Sequence, residues 1–259
     1  MTAPIITVKH LQKRFGAVVA ADAISVELVA GETVGIIGAN GAGKTTFVNM
    51  VTGYLTPDAG TILFHGRDIT PLRPREVTRL GIRRSFQVAQ LFPNLSVLDN
   101  TLLAIASAEN ERLPMMTPLR TPERISQAHG FLARLGLDER ADGLTTELPQ
   151  GQRKLLDIGL AMAGHSRILL LDEPTSGISA EEKFPMMDLI MEAIGGAGAT
   201  VLFVEHDMEI VERYAARVLA FYEGRIIADG IPHMVLADAD VRRHVVGAEL
   251  HRRPEGVRL

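Results

Sequence analysis

The 259-residue sequence contains no cysteine, which excludes disulfides and zinc–thiolate sites outright. No apolar run approaches the ~20 residues that a membrane span requires. Neither sign of charge dominates, and a formal net charge of −4 gives no general attraction to nucleic acid or anionic lipid. There is no internal repeat and no low-complexity tract. The opening MTAPIITVKH lacks the charged-then-apolar pattern of a signal peptide, so a soluble intracellular protein is expected.

What is present is apolar material, 46% of the chain, enough for a sizeable core in one large domain or two small ones. IITV, AISVELV and TVGIIG, bounded by turn signals, read as strands. With no helix between them, they are expected to form a separate antiparallel layer. TILFH (61–65) reads as another strand, PREVTRL as a short helix, and IRRSFQ (82–87) as a strand ending in a polar loop. Ser96 to Asp99 resembles a capping box for a helix to about residue 108. ENERLPMMTPLRTPE (109–123), with three prolines, is expected to be an exposed connection. Thr121-Pro122 suits the N-cap and N1 of a helix to about Leu135.

The second half alternates more cleanly. A helix from about Pro149 to Ala163 precedes RILLLD, an apolar run suited to a strand buried on both faces. Ser179 and Glu182 form another possible capping box, for a helix to about Ile194. TVLFVEH reads as a second buried strand, EIVERYA as a helix, and VLAFYEGRIIADG as a hairpin turning at Glu223-Gly224. Such alternation implies a largely parallel sheet flanked by helices. The basic end HRRPEGVRL reads as a solvated tail.

Between an apolar strand and a helix, Gly38-Ala39-Asn40-Gly41-Ala42-Gly43-Lys44-Thr45 matches G-x-x-x-x-G-K-[ST]. Glycines let backbone N–H groups converge on phosphate oxygens, and the helix N-terminus adds its positive dipole end. Lys44 would reach the β- and γ-phosphates, and Thr45 would offer its hydroxyl to Mg²⁺. The pattern points to a nucleoside triphosphate. Asp172 and Glu173 close the apolar run ILLL; on a strand they point to opposite faces. Asp172 suits the Mg²⁺ shell and Glu173 the general base for the attacking water. Neither the N/T-K-x-D of GTPases nor the H-R-D of kinases occurs. Taken alone, Gln87 reads as a surface polar residue and His206 as a satisfied structural histidine; their order and spacing carry the signal.

Together, in this order, these motifs resemble the ATP-binding-cassette (ABC) ATPases from about residue 5 to about residue 237. GANGAGKTT is similar to their Walker A, SFQ to the Q-loop, LLLDEPTSG to Walker B and VEHD to the switch histidine. The resemblance implies a P-loop α/β fold with a RecA-like parallel-sheet core and antiparallel β layer (1–87 and 165–237). It also implies a helical subdomain at 88–164 and a C-terminal helix and tail at 238–259. ATP would be held by Gly38, Asn40, Gly41, Gly43, Lys44, Thr45 and Thr46, with Phe15 stacked on adenine unless it is an ordinary core phenylalanine. Mg²⁺ would take Thr45, Gln87 and Asp172, and Glu173, His206 and Gln87 would be catalytic.

Leu148-Pro149-Gln150-Gly151-Gln152 stands where the family has its Leu-Ser-Gly-Gly-Gln signature, which acts in trans on ATP bound to a partner ATPase. Pro149, placed at N1, removes the family's serine hydroxyl; Ser179 replaces the usual aspartate of the D-loop. RRSFQVAQLFPNLSVLDN, GQRKLLDIGLAM and VEHDMEIV are similar to the ATPase subunits of bacterial branched-chain amino-acid importers and their amide and urea relatives. That resemblance implies a second, non-identical ATPase, two permeases, a periplasmic binding protein, no nucleic acid, and a peripheral place on the cytoplasmic face of the inner membrane. A homodimeric exporter or lipid-extraction ATPase is the alternative, and a soluble non-transport ABC ATPase a further one.

Overall fold

The computed structural model describes residues 3–85, 91–109, 118–163, 166–195 and 198–247. Gln87, residues 110–117 of the expected connection and the whole of HRRPEGVRL lie outside them. In chain order, β1 (Pro4–Phe15), β2 (Val18–Val29) and β3 (Thr33–Gly38) lead into α1 (Lys44–Val51). Next come β4 (Ala59–Phe64), β5 (Arg67–Asp68), α2 (Pro74–Arg79) and β6 (Ile82–Arg84). Three helices, α3 (Val97–Glu109), α4 (Pro122–Arg134) and α5 (Gln150–Met162), precede β7 (Ile168–Asp172) and α6 (Ala180–Gly195). Then follow β8 (Thr200–Val204), α7 (Met208–Tyr214), β9 (Arg217–Tyr222), β10 (Arg225–Gly230), α8 (Pro232–Ala237), α9 (Ala239–Val241) and a final π-helical turn, Arg242–Val246. Two compact units result: one takes the chain up to Arg79 and from Thr200 onward, the other Leu80–Ala199.

In the first unit β2, β1, β4 and β5 form an antiparallel sheet in that order. Its strands alternate: Ile24, Val26 and Leu28 of β2 are buried, while Ser25 and Glu27 between them are exposed. That is the signature of a sheet wet on one face. β3 does not join this layer, contrary to expectation. It pairs in parallel with β8 (Ile36↔Val204) and with β9 (Ile36↔Leu219). The reason is its side chains, apolar or glycine and buried from Val34 to Gly38, which leave no face for water. β9 turns into β10 at Glu223 and Gly224, with φ of 46° and 77°, a pair of positive values that matches the twist of the flanking strands.

In the second unit β6 and β7 run parallel, with Arg84 level with Leu170. The expected helix starts are present. The Ser96 hydroxyl accepts from Asp99 N at 3.0 Å and donates to Asp99 Oδ2. Thr121 caps α4, accepting from Arg124 N at 3.3 Å, with Pro122 at N1. α3 packs on α4 and α5, burying Leu102, Ile105, Ala128, Leu132 and Leu156. Loss of the Thr121 hydroxyl removes a donor's partner at the mouth of α4; Thr121→Ala is expected to lower unfolding free energy by about 1 kcal/mol in urea titration. No helix among the described residues is long and apolar enough to cross a membrane.

Candidate nucleotide-binding site

The phosphate loop lies in the first unit, between β3 and α1. Gly38, Gly41 and Gly43 all take positive φ. At Gly43, with φ of 101°, a Cβ would run into the Ala20 carbonyl oxygen, so the loop depends on glycine for both angle and space. Phe47 N donates to Gly43 O (2.9 Å) as the first bond of α1, so the N–H groups of Lys44, Thr45 and Thr46 have no intrahelical acceptor. They form the anion-binding end of the helix. Lys44 is buried, and its ammonium donates to the carbonyls of Gly38 and Ala39. Asn40 and Thr45 are exposed and Thr46 is half-buried.

Distant strands hold the loop from behind. Ala42 O accepts from Gly224 N (3.0 Å), and Gly224 O accepts from Asp22 N (2.8 Å). The β1–β2 hairpin that supplies Ala20 ends in Phe15, paired with Val18. Phe15 is 52% exposed, which rules out the core alternative and leaves an aromatic face on the hairpin that touches Gly43. His206 reaches the same edge of the sheet. β8 pairs with β3 up to Ile36↔Val204, and Glu205 N extends the ladder to Ile36 O at 3.2 Å. Gly38 and His206 each lie two residues further on, at the carboxyl ends of adjacent parallel strands, where open α/β sheets bind ligands.

In the second unit Asp172 ends β7, 8% exposed. Glu173 corrects the sequence reading. It is not on the strand; its φ is 47°, and its carbonyl accepts from Ser176 N in a turn (3.1 Å). The two carboxylates are separated by a left-handed backbone kink rather than by strand alternation, a sparsely populated conformation of the kind held at functional sites. Sequence reasoning missed Arg84, whose guanidinium donates Nη2 to Asp172 Oδ2. RRSFQ shows the cation, but only the β6–β7 pairing places it beside Asp172.

The signature helix brings a second correction. Pro149 has ψ of 155° and sits at the N-cap, not at N1, so α5 opens at Gln150. Its ring cannot accept an N–H, and the cap bond is absent. The first intrahelical bond runs from Arg153 N to Pro149 O (3.0 Å). Gln150, Gly151 and Gln152 therefore keep three N–H groups without intrahelical acceptors, none of them lost to proline. Leu148 is buried and anchors the entrance. The signature segment and the D-loop segment lie against each other. The Gln150 carboxamide lies against Gly177, where a Cβ would come within 2.5 Å of Nε2, and Gly151 faces Ile178 Cδ1.

Each unit carries a hard oxygen donor of the kind that suits Mg²⁺, the Thr45 hydroxyl in the first and the Asp172 carboxylate in the second. A glycine-rich loop between a buried parallel strand and a helix, with its lysine and threonine, defines a P-loop nucleotide-binding protein. The family model of the ABC transporter matches residues 21–176. The chain belongs to that family, as an ABC-type ATPase that hydrolyses ATP to power transport. It is 33% identical to the high-affinity branched-chain amino acid transport ATP-binding protein LivG of Escherichia coli K12, over 95% of this chain and 99% of LivG. With the corresponding protein BraF of Pseudomonas aeruginosa the identity is 32%, over 95% and 99%. The crystal structure of an ABC-transporter ATP-binding cassette in its ADP conformation superposes with a TM-score of 0.82 at 31% identity, covering 93% of this chain and 98% of that one.

Proposed function

We propose that this chain is the ATP-hydrolysing subunit of a bacterial membrane importer for branched-chain amino acids, amides or urea. The branched-chain amino acid transport roles of LivG and BraF, at 33% and 32% identity over nearly whole lengths, support the first of these substrates. In this reading Lys44 and the N–H groups of the first turn of α1 hold the β- and γ-phosphates, and Phe15 stacks on adenine. Thr45, Asp172 and Gln87 hold Mg²⁺, which when bound neutralises phosphate charge. Glu173 takes a proton from the attacking water, and His206 steadies the γ-phosphate.

The observation that carries the mechanism is the opening of α5. Three N–H groups at a helix N-terminus form an anion site, and this one acts on ATP held by a second ATPase subunit. The missing serine hydroxyl removes one charge-assisted hydrogen bond, typically worth ~1.5–3 kcal/mol. A partner with a complete signature therefore gives the assembly one strong and one weak ATP site. ATP closes the pair of ATPases, the helical segment 88–164 moves two permeases, and hydrolysis resets them. Substrate choice rests with the permeases and a periplasmic binding protein, with the ATPase on the cytoplasmic face of the inner membrane.

Sizing of Glu173→Gln with MgATP, against the same protein without nucleotide, tests this. A monomer in both conditions, with ATP binding confirmed separately, is the result expected for an obligate, different partner. A stable ATP-dependent homodimer would favour the exporter-type alternative, and absence of ATP binding would sink the reading.

A further inference from the structure

Arg84 and Asp172 form an ion pair that is almost out of water, with side chains 9% and 12% exposed. The strands fix it. Arg84 is level with Leu170 in the β6–β7 register, and Ser85 N donates to Leu170 O at 2.9 Å. Asp172 lies two residues further along β7, on the same side as Leu170. Arg84 holds Oδ2 of the carboxylate, while Oδ1 accepts no hydrogen bond among the described residues. A carboxylate this enclosed needs a counter-ion whenever no metal is present, since an unpaired buried charge is strongly unfavourable.

We infer that Arg84 is the resident counter-ion of Asp172 and a positioning residue that sets how strongly Mg²⁺ is coupled to ATP. It keeps the carboxylate paired and oriented in the nucleotide-free protein, with Oδ1 left for the metal. Its positive charge then opposes the arriving cation across the same carboxylate, in surroundings where little water screens the repulsion. The site thus takes Mg²⁺ with the nucleotide less tightly than a lone carboxylate would. When the nucleotide leaves, Asp172 is already neutralised, so the departing metal abandons no bare charge. This rests on the reading of Asp172 as a Mg²⁺ ligand.

Titration calorimetry of a non-hydrolysable ATP analogue, in excess Mg²⁺ and again in EDTA, tests it; the ratio of the two affinities is the metal–nucleotide coupling. Arg84→Gln keeps a hydrogen-bond donor and removes the charge, and is expected to raise the ratio about tenfold. Arg84→Lys keeps the charge and should leave it within about threefold of the wild type. If Arg84→Gln leaves the ratio unchanged or lowers it, or if both variants shift it alike, the inference is overturned. A purely structural role would weaken binding equally in Mg²⁺ and EDTA. Should Arg84→Gln fail to fold by circular dichroism, Arg84→Met removes the same charge and faces the same criterion. Asp172→Asn separates the two ideas. A ratio unmoved by Asp172→Asn defeats the metal role of Asp172, whereas a fall there with no rise in the uncharged Arg84 variant defeats only the role of Arg84.

Discussion

Glu173→Gln lowers ATP turnover by about 10²–10⁴-fold while leaving ATP affinity within about threefold of the wild type. Glutamine has the same shape and can still accept a hydrogen bond from water, but it cannot take the proton. The effect should therefore fall on the rate and spare binding. Position matters as much as chemistry. Glu173 stands just beyond β7 on a left-handed residue, φ 47°, braced by the Ser176 N to Glu173 O turn. That kink takes Glu173 off the line of the strand that Asp172 ends. Phosphate release in steady state and calorimetric titration of ATP measure the two quantities. A loss of ATP affinity matching the loss of rate would make Glu173 a structural residue instead.

Gly43→Ala abolishes nucleotide binding, with affinity reduced at least about a hundredfold. A left-handed conformation costs an L-residue about 1–2 kcal/mol on its own. At Gly43 a Cβ also meets the backbone of Ala20 and, at 3.2 Å, Gly224 Cα. Neither backbone can give way cheaply, because Gly224 is bonded to both Ala42 and Asp22. Gly41 provides the internal comparison. Its φ is 83°, yet a Cβ there would meet nothing within 4 Å. Gly41→Ala carries the angular strain alone and should weaken ATP binding by about tenfold. Equal effects of the two variants, measured by the same titration, would show that the Ala20 contact is irrelevant.

Much of this was legible from local chemistry. The phosphate loop, the helix starts at Ser96 and Thr121, and the turn at Glu223-Gly224 are fixed by short-range rules, and each is found where the residues place it. β3 joins the parallel sheet rather than the antiparallel layer because its unbroken burial, not its adjacency in sequence to β2, decides its neighbours. Pro149 stands one position earlier than N1, at the N-cap, since proline fits both positions and only ψ distinguishes them. Arg84 on Asp172, and Gln150 on Gly177, were not legible. Each joins residues far apart in the chain, and neither pair forms a motif. Gln87 lies outside the described residues, and its role stays with the family resemblance.

The bond from Gly224 N to Ala42 O also governs when the chain becomes competent. The glycine loop is made early in synthesis, but the strands that brace it, β8, β9 and β10, come from the last quarter of the described chain. Closing such long loops is entropically slow and is rewarded only at the end. Until β8 and β9 have left the ribosome, β3 lacks its parallel neighbours, and until Gly224 follows them Ala42 lacks its partner. A growing chain therefore carries the whole Walker A sequence without its cradle, and ATP is held only by molecules in which β8 to β10 have closed on the loop.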